Sequence, residues 1–292
     1  MTLSRYTTAL SRTVLAALSV SALVACGGSE GPTVNAKPEL AFVRVVNAIP
    51  DTGIMIYRFT DKLENALDAN GTAFRTASAY QGYAPGVRTF RAFMLNAAAS
   101  VVIAGGAPLI DQPVTLQVNT YYTIVHFGRA NPATADSIAI VIDSVPTASV
   151  LGTSIAVRAL HFATGVNGVD VMTTRRATDA LPATPTFAGL AYRGSTGNTY
   201  TIRTAADSIA ARVRVVAAPT VVLSAQGMNG EAGTTQRNPL SGVRVGGTVL
   251  SVIAFPAPTA ATRTPATPGD TVPSLRWFID GRAFLSQPID RN

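Results

Sequence analysis

The sequence predicts an all-β protein with two tandem antiparallel β-sandwich domains behind a lipoprotein signal peptide. Apolar and polar residues alternate with a period of two along most of the chain, and helical spacing is nearly absent. Charged residues make up only 13% of the chain, and Ala and Val dominate the hydrophobic residues, which suits burial in sheets. The second half repeats the strand pattern of the first, and the size of each copy fits an immunoglobulin-like sandwich.

Residues 1–25 have the three parts of a bacterial export signal. Arg5 and Arg12 provide a basic start, residues 14–24 form an apolar core, and the small residue Ala25 follows. An apolar core of this length would rise only about 16 Å as a helix, against roughly 30 Å of bilayer core. The segment is therefore expected to direct export and to be removed, not to span the membrane.

The only cysteine in the chain, Cys26, follows this signal and predicts a lipid anchor. The quartet Leu-Val-Ala-Cys resembles the bacterial lipobox, in which the thiol receives a diacylglyceryl group and the chain is cut just before it. Two or three acyl chains would hold firmly, because each buried methylene contributes about 0.8 kcal/mol. The alternative is a buried structural cysteine in an ordinary signal peptide.

Residues 26–38 are rich in Gly and polar residues and predict a flexible tether. By the same resemblance, Gly27 in place of Asp implies transfer to the outer membrane. We therefore expect an exported protein that is lipid-anchored to the bacterial outer membrane, on its periplasmic or surface side. Its expected partners are the membrane, through the lipid, and other envelope proteins or glycans.

The alternating segments define two predicted domains. The first spans residues 39–143, a turn-rich linker covers 144–153, the second domain spans 154–280, and a tail follows at 281–292. Because each copy contains its own set of alternating strands, residues 39–143 are expected to fold alone. Two copies are too few for a solenoid or a propeller.

The repeat is supported by short matched segments. The second copy is longer because it contains loop insertions, one of which is the Pro-, Thr- and Ala-rich stretch 256–273. The matched pairs are FVRVVNA (42–48) with AVRALHF (156–162), AYQG (79–82) with AYRG (191–194), TFR (89–91) with TIR (201–203), VVI (101–103) with VVL (221–223), TYYTIVHF (120–127) with TVLSVIAF (248–255), and SIAIVID (137–143) with SLRWFID (274–280). Trp277, in the last of these segments, is expected in the core.

The strand sequences VRVVNAIPD and GIMIYRF, with the later AYQGYAPGVRTFRAF and NTYYTIVHFG, resemble a bacterial envelope family known as the domain of unknown function DUF4397. Typical members begin with a strand similar to Arg-Val-Val-His-Ala-Ser-Pro and continue through one similar to Val-Asp-Val-Tyr. The second copy keeps His161 and Asp170 of this pattern, whereas the first has Asn47 and Met55. The resemblance implies an exported, often lipid-anchored β-sandwich, and it implies no activity.

The sequence contains no recognisable catalytic motif, whether a nucleophile elbow, a phosphate-binding loop or a zinc-protease motif. Of the two histidines, His126 aligns with Ala254 and His161 with Asn47, which favours local hydrogen bonding over a catalytic or metal-binding role. The carboxylates near strand ends are interpreted as turn caps. We therefore predict no catalytic residues, no metal site, no cofactor and no enzymatic activity.

Arginine is the one residue type that suggests a ligand. Arg203, Arg212 and Arg214 lie in or beside predicted strands, and Arg212 and Arg214 share one face because they are two residues apart. Such a face could bind sulfate, phosphate or carboxylate. The alternative is a solvated face that protects a sheet edge.

The net charge is +7, and it becomes +5 (7 − 2) once the two arginines of the signal are removed. Nucleic acid is not expected as a partner, because few aromatic residues accompany the basic residues of this exported chain. The leading hypothesis is a non-catalytic, lipid-anchored envelope protein with a structural or interaction role. The alternative is a module that binds an anionic glycan or envelope polymer through surface arginines.

Overall fold

The computed structural model describes most of the chain after the predicted tether. The predicted signal peptide, Cys26 and the tether lie outside the described residues, as does the tail beyond Arg282. Residues Leu40–Asn292 form one compact unit. The described ranges are 39–60, 71–96, 101–102, 107–130, 135–196, 200–216, 220–231, 240–258 and 272–282.

The first copy is a sandwich of two sheets. One sheet has the strand order β3-β1-β7-β8, and in the other β4 pairs with β2, β5 and β6. The strands are β1 (Ala41–Asn47), β2 (Met55–Phe59), β3 (Gln81–Tyr83), β4 (Gly86–Asn96), β5 (Val101–Val102), β6 (Ile110–Leu116), β7 (Tyr121–Arg129) and β8 (Ala135–Ile142).

The second copy repeats this arrangement after a short helix, α1 (Ala148–Leu151), which lies within the predicted linker. Its sheets have the orders β12-β9-β15-β16 and β11-β10-β13-β14. The strands are β9 (Ser154–His161), β10 (Val169–Thr174), β11 (Phe187–Leu190), β12 (Thr201–Thr204), β13 (Ala210–Val215), β14 (Val221–Gln226), β15 (Thr248–Phe255) and β16 (Ser274–Arg282), the last of which extends two residues past the predicted boundary at 280.

The prediction of an all-β fold of β-sandwich type is confirmed. Alternate residues of the strands enter an apolar core between the two sheets of each copy, as Ala211 and Val213 of β13 do. Trp277 lies in the core of the second copy and donates its indole N–H to the Ala225 carbonyl at 3.1 Å. Most strand pairs are antiparallel, but β1 runs parallel to β7 and β9 runs parallel to β15.

A third apolar cluster joins the two copies. It contains residues from the outer face of the β1–β7 sheet and from the equivalent face of the β9–β15 sheet. The rings of Phe127 and Phe162, one from each copy, lie 5.3 Å apart between centroids. The other buried members are Val46, Ala48, Val125, Val141, Leu160, Ile253 and Phe255.

Strand pairing corrects part of the sequence alignment of the two copies. The strand β12, which contains TIR, pairs with β9 as β3 pairs with β1, so it corresponds to residues 81–83 and not to the TFR segment in β4. VVL lies in β14, which pairs with β13 as β6 pairs with β4, so its counterpart is not VVI. Matches of three or four common residues are weaker guides than the identity of the neighbouring strand.

The AYRG segment also has a different counterpart, the AFRT segment at 73–76. Arg193 donates its backbone N–H to the His161 carbonyl, and Arg75 donates in the same way to Asn47. Both arginines have a left-handed backbone, with φ of 65° and 63°, which is uncommon outside glycine. Two such unusual conformations in the same environment identify equivalent positions.

Candidate functional site

A group of buried and half-buried polar side chains lies between the two copies. It contains four pairs of equivalent residues, one member from each copy, and we call it the central network. The arginines and hydroxyl residues belong to strands whose alternate residues enter the sandwich cores, so they face outward, toward the other copy. The pairs are Arg44 and Arg158, Tyr80 and Tyr200, Thr123 and Ser251, and Asp143 and Asp280.

Each arginine of the central network pairs with the aspartate of the other copy. Nη2 of Arg44 lies 2.5 Å from Oδ1 of Asp280, and Nη2 of Arg158 lies 2.5 Å from Oδ1 of Asp143. Nε of Arg158 is also 3.2 Å from Oδ2 of Asp280. None of these four side chains is more than 2% exposed. The ion pairs therefore link the copies reciprocally in a water-poor interior.

Hydroxyl groups complete the first half of the central network. The Thr123 hydroxyl accepts a hydrogen bond from Nε of Arg44 at 2.9 Å and donates to Oδ2 of Asp143 at 2.7 Å. The Tyr80 hydroxyl donates to the same Asp143 oxygen at 2.6 Å. The Arg44 guanidinium also lies over the Tyr80 ring, 5.0 Å from its centroid.

The second half has the same chemistry. The Ser251 hydroxyl accepts from Nε of Arg158 at 2.7 Å and donates to Oδ2 of Asp280 at 2.5 Å. The Tyr200 hydroxyl donates to that oxygen at 2.9 Å, and the Arg158 guanidinium lies over the Tyr200 ring at 5.0 Å. The network is thus symmetric under exchange of the two copies.

The electrostatics keep both arginines charged. Burial alone would lower the pKa of Arg44 and of Arg158, but the nearby aspartate charges outweigh it, so that each pKa lies above its ordinary value. Burial, followed by the aspartate charges, raises the pKa of Tyr80 and Tyr200, which therefore donate as neutral phenols. This arrangement links one copy to the other through charged and neutral hydrogen-bonding groups.

The sequence interpretation of Asp143 and Asp280 as turn caps is wrong, because both carboxylates accept from arginine and hydroxyl groups in the interior. A signal for this role was present in the repeat. Arg44 aligns with Arg158, and Asp143 aligns with Asp280, within otherwise apolar segments. A charge that recurs at the same strand position in both copies indicates a buried partner in the other copy.

His126 lies in a separate buried triad in the first copy. Its Nδ1 is 3.1 Å from the Tyr57 hydroxyl, and its Nε2 is 2.8 Å from Oδ2 of Asp136. Burial lowers the pKa of His126 and raises that of Tyr57, so a neutral imidazole accepts from the phenol and donates to the carboxylate. Val171 and Ala254 occupy the equivalent positions of Tyr57 and His126 in the second copy. This confirms a local hydrogen-bonding role.

His161 and its counterpart Asn47 make equivalent hydrogen bonds in the two copies. Nδ1 of His161 accepts from the Ala163 backbone N–H at 3.4 Å, as Oδ1 of Asn47 accepts from Ile49 at 3.1 Å. Nε2 of His161 lies 3.1 Å from the Val166 carbonyl, and the Asn47 amide also donates to loop carbonyls. Both side chains therefore organise the loop that follows the strand.

We expect His161→Asn to keep the stability of the protein at about pH 8 and to reduce the loss of stability on acidification toward about pH 5. Burial lowers the pKa of His161 from its ordinary 6.5, so the unfolded chain binds more protons and stability is lost as the pH falls through 6.5 toward the native pKa. Asn47 shows that an amide can replace the imidazole. Urea unfolding at several pH values measures this effect.

The control is His161→Ala, which removes the loop hydrogen bonds as well as the titrating group and should destabilise the protein at both pH values. Equal losses for the asparagine and alanine variants at about pH 8 would contradict the equivalence of His161 and Asn47.

The three arginines predicted as an anion site do not form one cluster. Arg203 belongs to β12 in one sheet, whereas Arg212 and Arg214 belong to β13 in the other. Arg212 is 5% exposed and donates to the carbonyls of Ala177, Asp179 and Ala180 at 2.6–3.3 Å, so it holds a loop of its own copy and is not part of a solvated face. Arg214 pairs with Asp170, with Nε 3.3 Å from Oδ2.

Arg203 lies beside a groove of about 460 Å³ in the second copy, which we call the arginine groove. Its wall includes Thr174 at the end of β10, Arg175 after it, the β12 residues Ile202 to Thr204, and Ser208 before β13. The Arg175 guanidinium pairs with Asp207 at 2.9 Å, and both side chains are mostly exposed. The sequence pattern indicates Arg203 but not Arg175 as a site residue, since only strand pairing brings the two loops together.

Neither a metal site nor a membrane-spanning helix is found among the described residues. In that part of the chain, no three His, Cys, Asp or Glu side chains lie together as metal ligands. None of its helices has the length and hydropathy that a membrane crossing requires.

One comparison with known proteins gives a match. Residues 41–172 match the family described as domain of unknown function (DUF4397). The matched segment covers the first copy, α1, β9 and the first part of β10, and so includes both arginines of the central network. No curated protein matches the chain.

Proposed function

Residues 41–172 of this chain belong to the DUF4397 family, and on that premise we propose that the protein is a non-catalytic, lipid-anchored component of the bacterial cell envelope. Its two β-sandwich copies act together as one structural or interaction module. The anchor would be the lipidated Cys26, and the tether would hold the module away from the outer membrane.

The observation that carries this proposal is the central network. Two reciprocal buried ion pairs, together with the apolar cluster beside them, connect the copies within one compact unit. Removing one partner of a buried ion pair leaves an uncompensated charge, so such pairs favour a single arrangement of the surrounding strands. A module of this kind presents its outer faces to a partner in a fixed geometry, which suits a structural or adaptor role.

The proposed anchor is tested by labelling. Labelled palmitate should enter the wild-type protein in a bacterial host and should not enter Cys26→Ser, because the serine hydroxyl does not replace the thiolate as the acceptor of the lipid. The wild type should also sediment with membranes. Ser29→Ala, a change in the tether that keeps the thiol, serves as the control and should retain the label. Label that persists in Cys26→Ser would overturn the anchor.

A second candidate function is the binding of an anionic glycan or another envelope polymer through surface arginines. The arginine groove favours this function, since Arg203 lies beside a cavity whose size falls in the range of small-molecule sites. Arg212 and Arg214 are occupied by groups of their own copy. Binding of this kind would therefore depend on Arg203.

A further inference from the structure

The first copy has a cluster of three aromatic rings that includes Tyr83, the residue at the position of Arg203. Phe59 and Tyr83 come from opposite sheets, and their rings meet edge to face with centroids 4.6 Å apart. Phe90 packs against Phe59 at 5.5 Å. All three side chains are buried in the core of the first copy. We call these three residues the aromatic plug, because they fill the space between the two sheets.

The second copy lacks two members of the plug on its β10–β13 sheet. Strands β10 and β13 place Thr173 opposite Ala211 on the core side, where β2 and β4 place Phe59 opposite Phe90. Two phenyl rings are thus replaced by a hydroxyl and a methyl group. Both of the smaller side chains are buried.

The third member of the plug is replaced by an arginine. Arg203 lies opposite Ile155 on β9, and Tyr83 lies opposite Ala41 on β1, which is the equivalent pairing. Thr174 and Arg203 both line the arginine groove. Arg203 therefore brings a cation to the groove, at the position where the first copy has the third ring of the plug.

The groups around the arginine groove favour an oxyanion. The Arg203 guanidinium makes no hydrogen bond or ion pair with any other residue that the structure describes. Arg175 supplies a second guanidinium, and its exposed pair with Asp207 can exchange at little cost. Asp207 is the acidic partner of Arg175. Arginine binds carboxylate and phosphate bidentately, and the hydroxyls of Thr204 and Ser208 can contact sugar hydroxyls.

We infer that the arginine groove binds a sugar that carries an oxyanion, a carboxylate or a phosphate, with Arg203 as the residue that contacts the charged group. The inference rests on the second candidate function and assigns that function to one site. A neutral sugar lacks the group that Arg203 recognises. The first copy, which has Tyr83 in place of Arg203, does not bind at this position.

The test is a titration of the purified mature protein, in physiological salt, with tri-galacturonate, a sugar phosphate and neutral maltotriose. We expect binding of at least one of the two anionic probes and no binding of maltotriose. The difference between the galacturonate and the phosphate arms identifies which oxyanion the groove takes. At about 0.15 M salt the screening length is about 8 Å, so attraction by net charge alone is weak under these conditions.

Arg203→Gln should weaken the binding of the preferred probe by about tenfold or more, the usual effect of losing a hydrogen bond to a charged group. Arg176→Gln, which removes the same charge from an exposed side chain outside the groove, is the matched control and should bind as the wild type does. Equal weakening in the two variants would overturn the assignment to the groove.

Arg203→Tyr restores the third member of the aromatic plug, removes the cation from the groove and should abolish binding without lowering the melting temperature. If this variant does not fold, Arg203→Gln alone decides the test. Unchanged binding in a folded plug variant, or in Arg203→Gln, would overturn the groove and leave glycan binding elsewhere on the surface. Absence of binding to both anionic probes would overturn the groove and the second candidate function together.

Discussion

Asp280→Asn is expected to lower the free energy of unfolding by about 3–5 kcal/mol, because it leaves the buried Arg44 guanidinium without its anionic partner. The variant also removes the charge that Arg158 and the hydroxyls of Ser251 and Tyr200 contact. Equilibrium urea unfolding followed by circular dichroism measures the loss, provided that the denaturant dependence stays unchanged.

Asp111→Asn is the matched control for this substitution. Asp111 pairs with Arg91 at 3.0 Å, but the two side chains are 44% and 39% exposed. Exposed pairs of this type contribute about 0–1 kcal/mol, so this variant should lose far less stability. Equal losses for Asp280→Asn and Asp111→Asn would show that the central network does not hold the two copies together.

Because the central network is symmetric, the equivalent substitution in the first copy should cause a similar loss of stability. Asp143→Asn should cost as much as Asp280→Asn, since Asp143 meets Arg158 as Asp280 meets Arg44. Arg44→Met combined with Asp280→Asn should cost less than the sum of the two single variants, because the second substitution removes a partner that is already lost.

The second large effect is expected from a fragment of residues 39–143, the span that the sequence predicts to fold alone. The fragment keeps the core between its own two sheets, and we expect a cooperative thermal transition with a β-type far-ultraviolet spectrum. It loses the partners of Arg44 and Asp143 and exposes the face that includes Phe127. Burying this face again is favourable, so the fragment is expected to self-associate.

The expected product is a symmetric dimer of the fragment. In the whole chain Arg44 meets the aspartate of the other copy and Asp143 meets its arginine, so two fragments can form both ion pairs with each other. Light scattering during size-exclusion chromatography measures the mass, and the melting temperature should rise with concentration.

Asp143→Asn in the fragment should shift the population toward monomer, whereas Asp111→Asn should leave it dimeric. A monomer at every accessible concentration would contradict the reciprocal pairing. A molten or helical spectrum would contradict independent folding of the first copy.

The sequence by itself determined the fold class and most of the segments that form strands. Alternation along a strand is a local property, and it separates the two faces of a strand without knowledge of the neighbouring strands. The segments FVRVVNA and TYYTIVHF form most of β1 and β7, and the structure places Val43, Val45 and Ile124 in the core. The repeat was also visible where long strands aligned, as in 120–127 with 248–255.

Strand neighbours were decided only by the tertiary structure. The AYRG and TIR segments were aligned with the wrong parts of the first copy, because short loops and edge strands share residues by chance. The replacement of the aromatic plug became visible only when strand pairing placed Arg203 at the position of Tyr83.

The sequence likewise placed Arg44 and Asp143 on strands but left their partners undefined. Arg44 and Asp280 are 236 positions apart along the chain, and no local sequence pattern connects them. Alternation shows that a side chain points away from the core of its own copy. The packing of the two copies decides whether that side chain contacts solvent or an oppositely charged residue. The central network is therefore a property of the assembled tertiary structure, since the cost of burying each charge is offset only by its partner from the other copy.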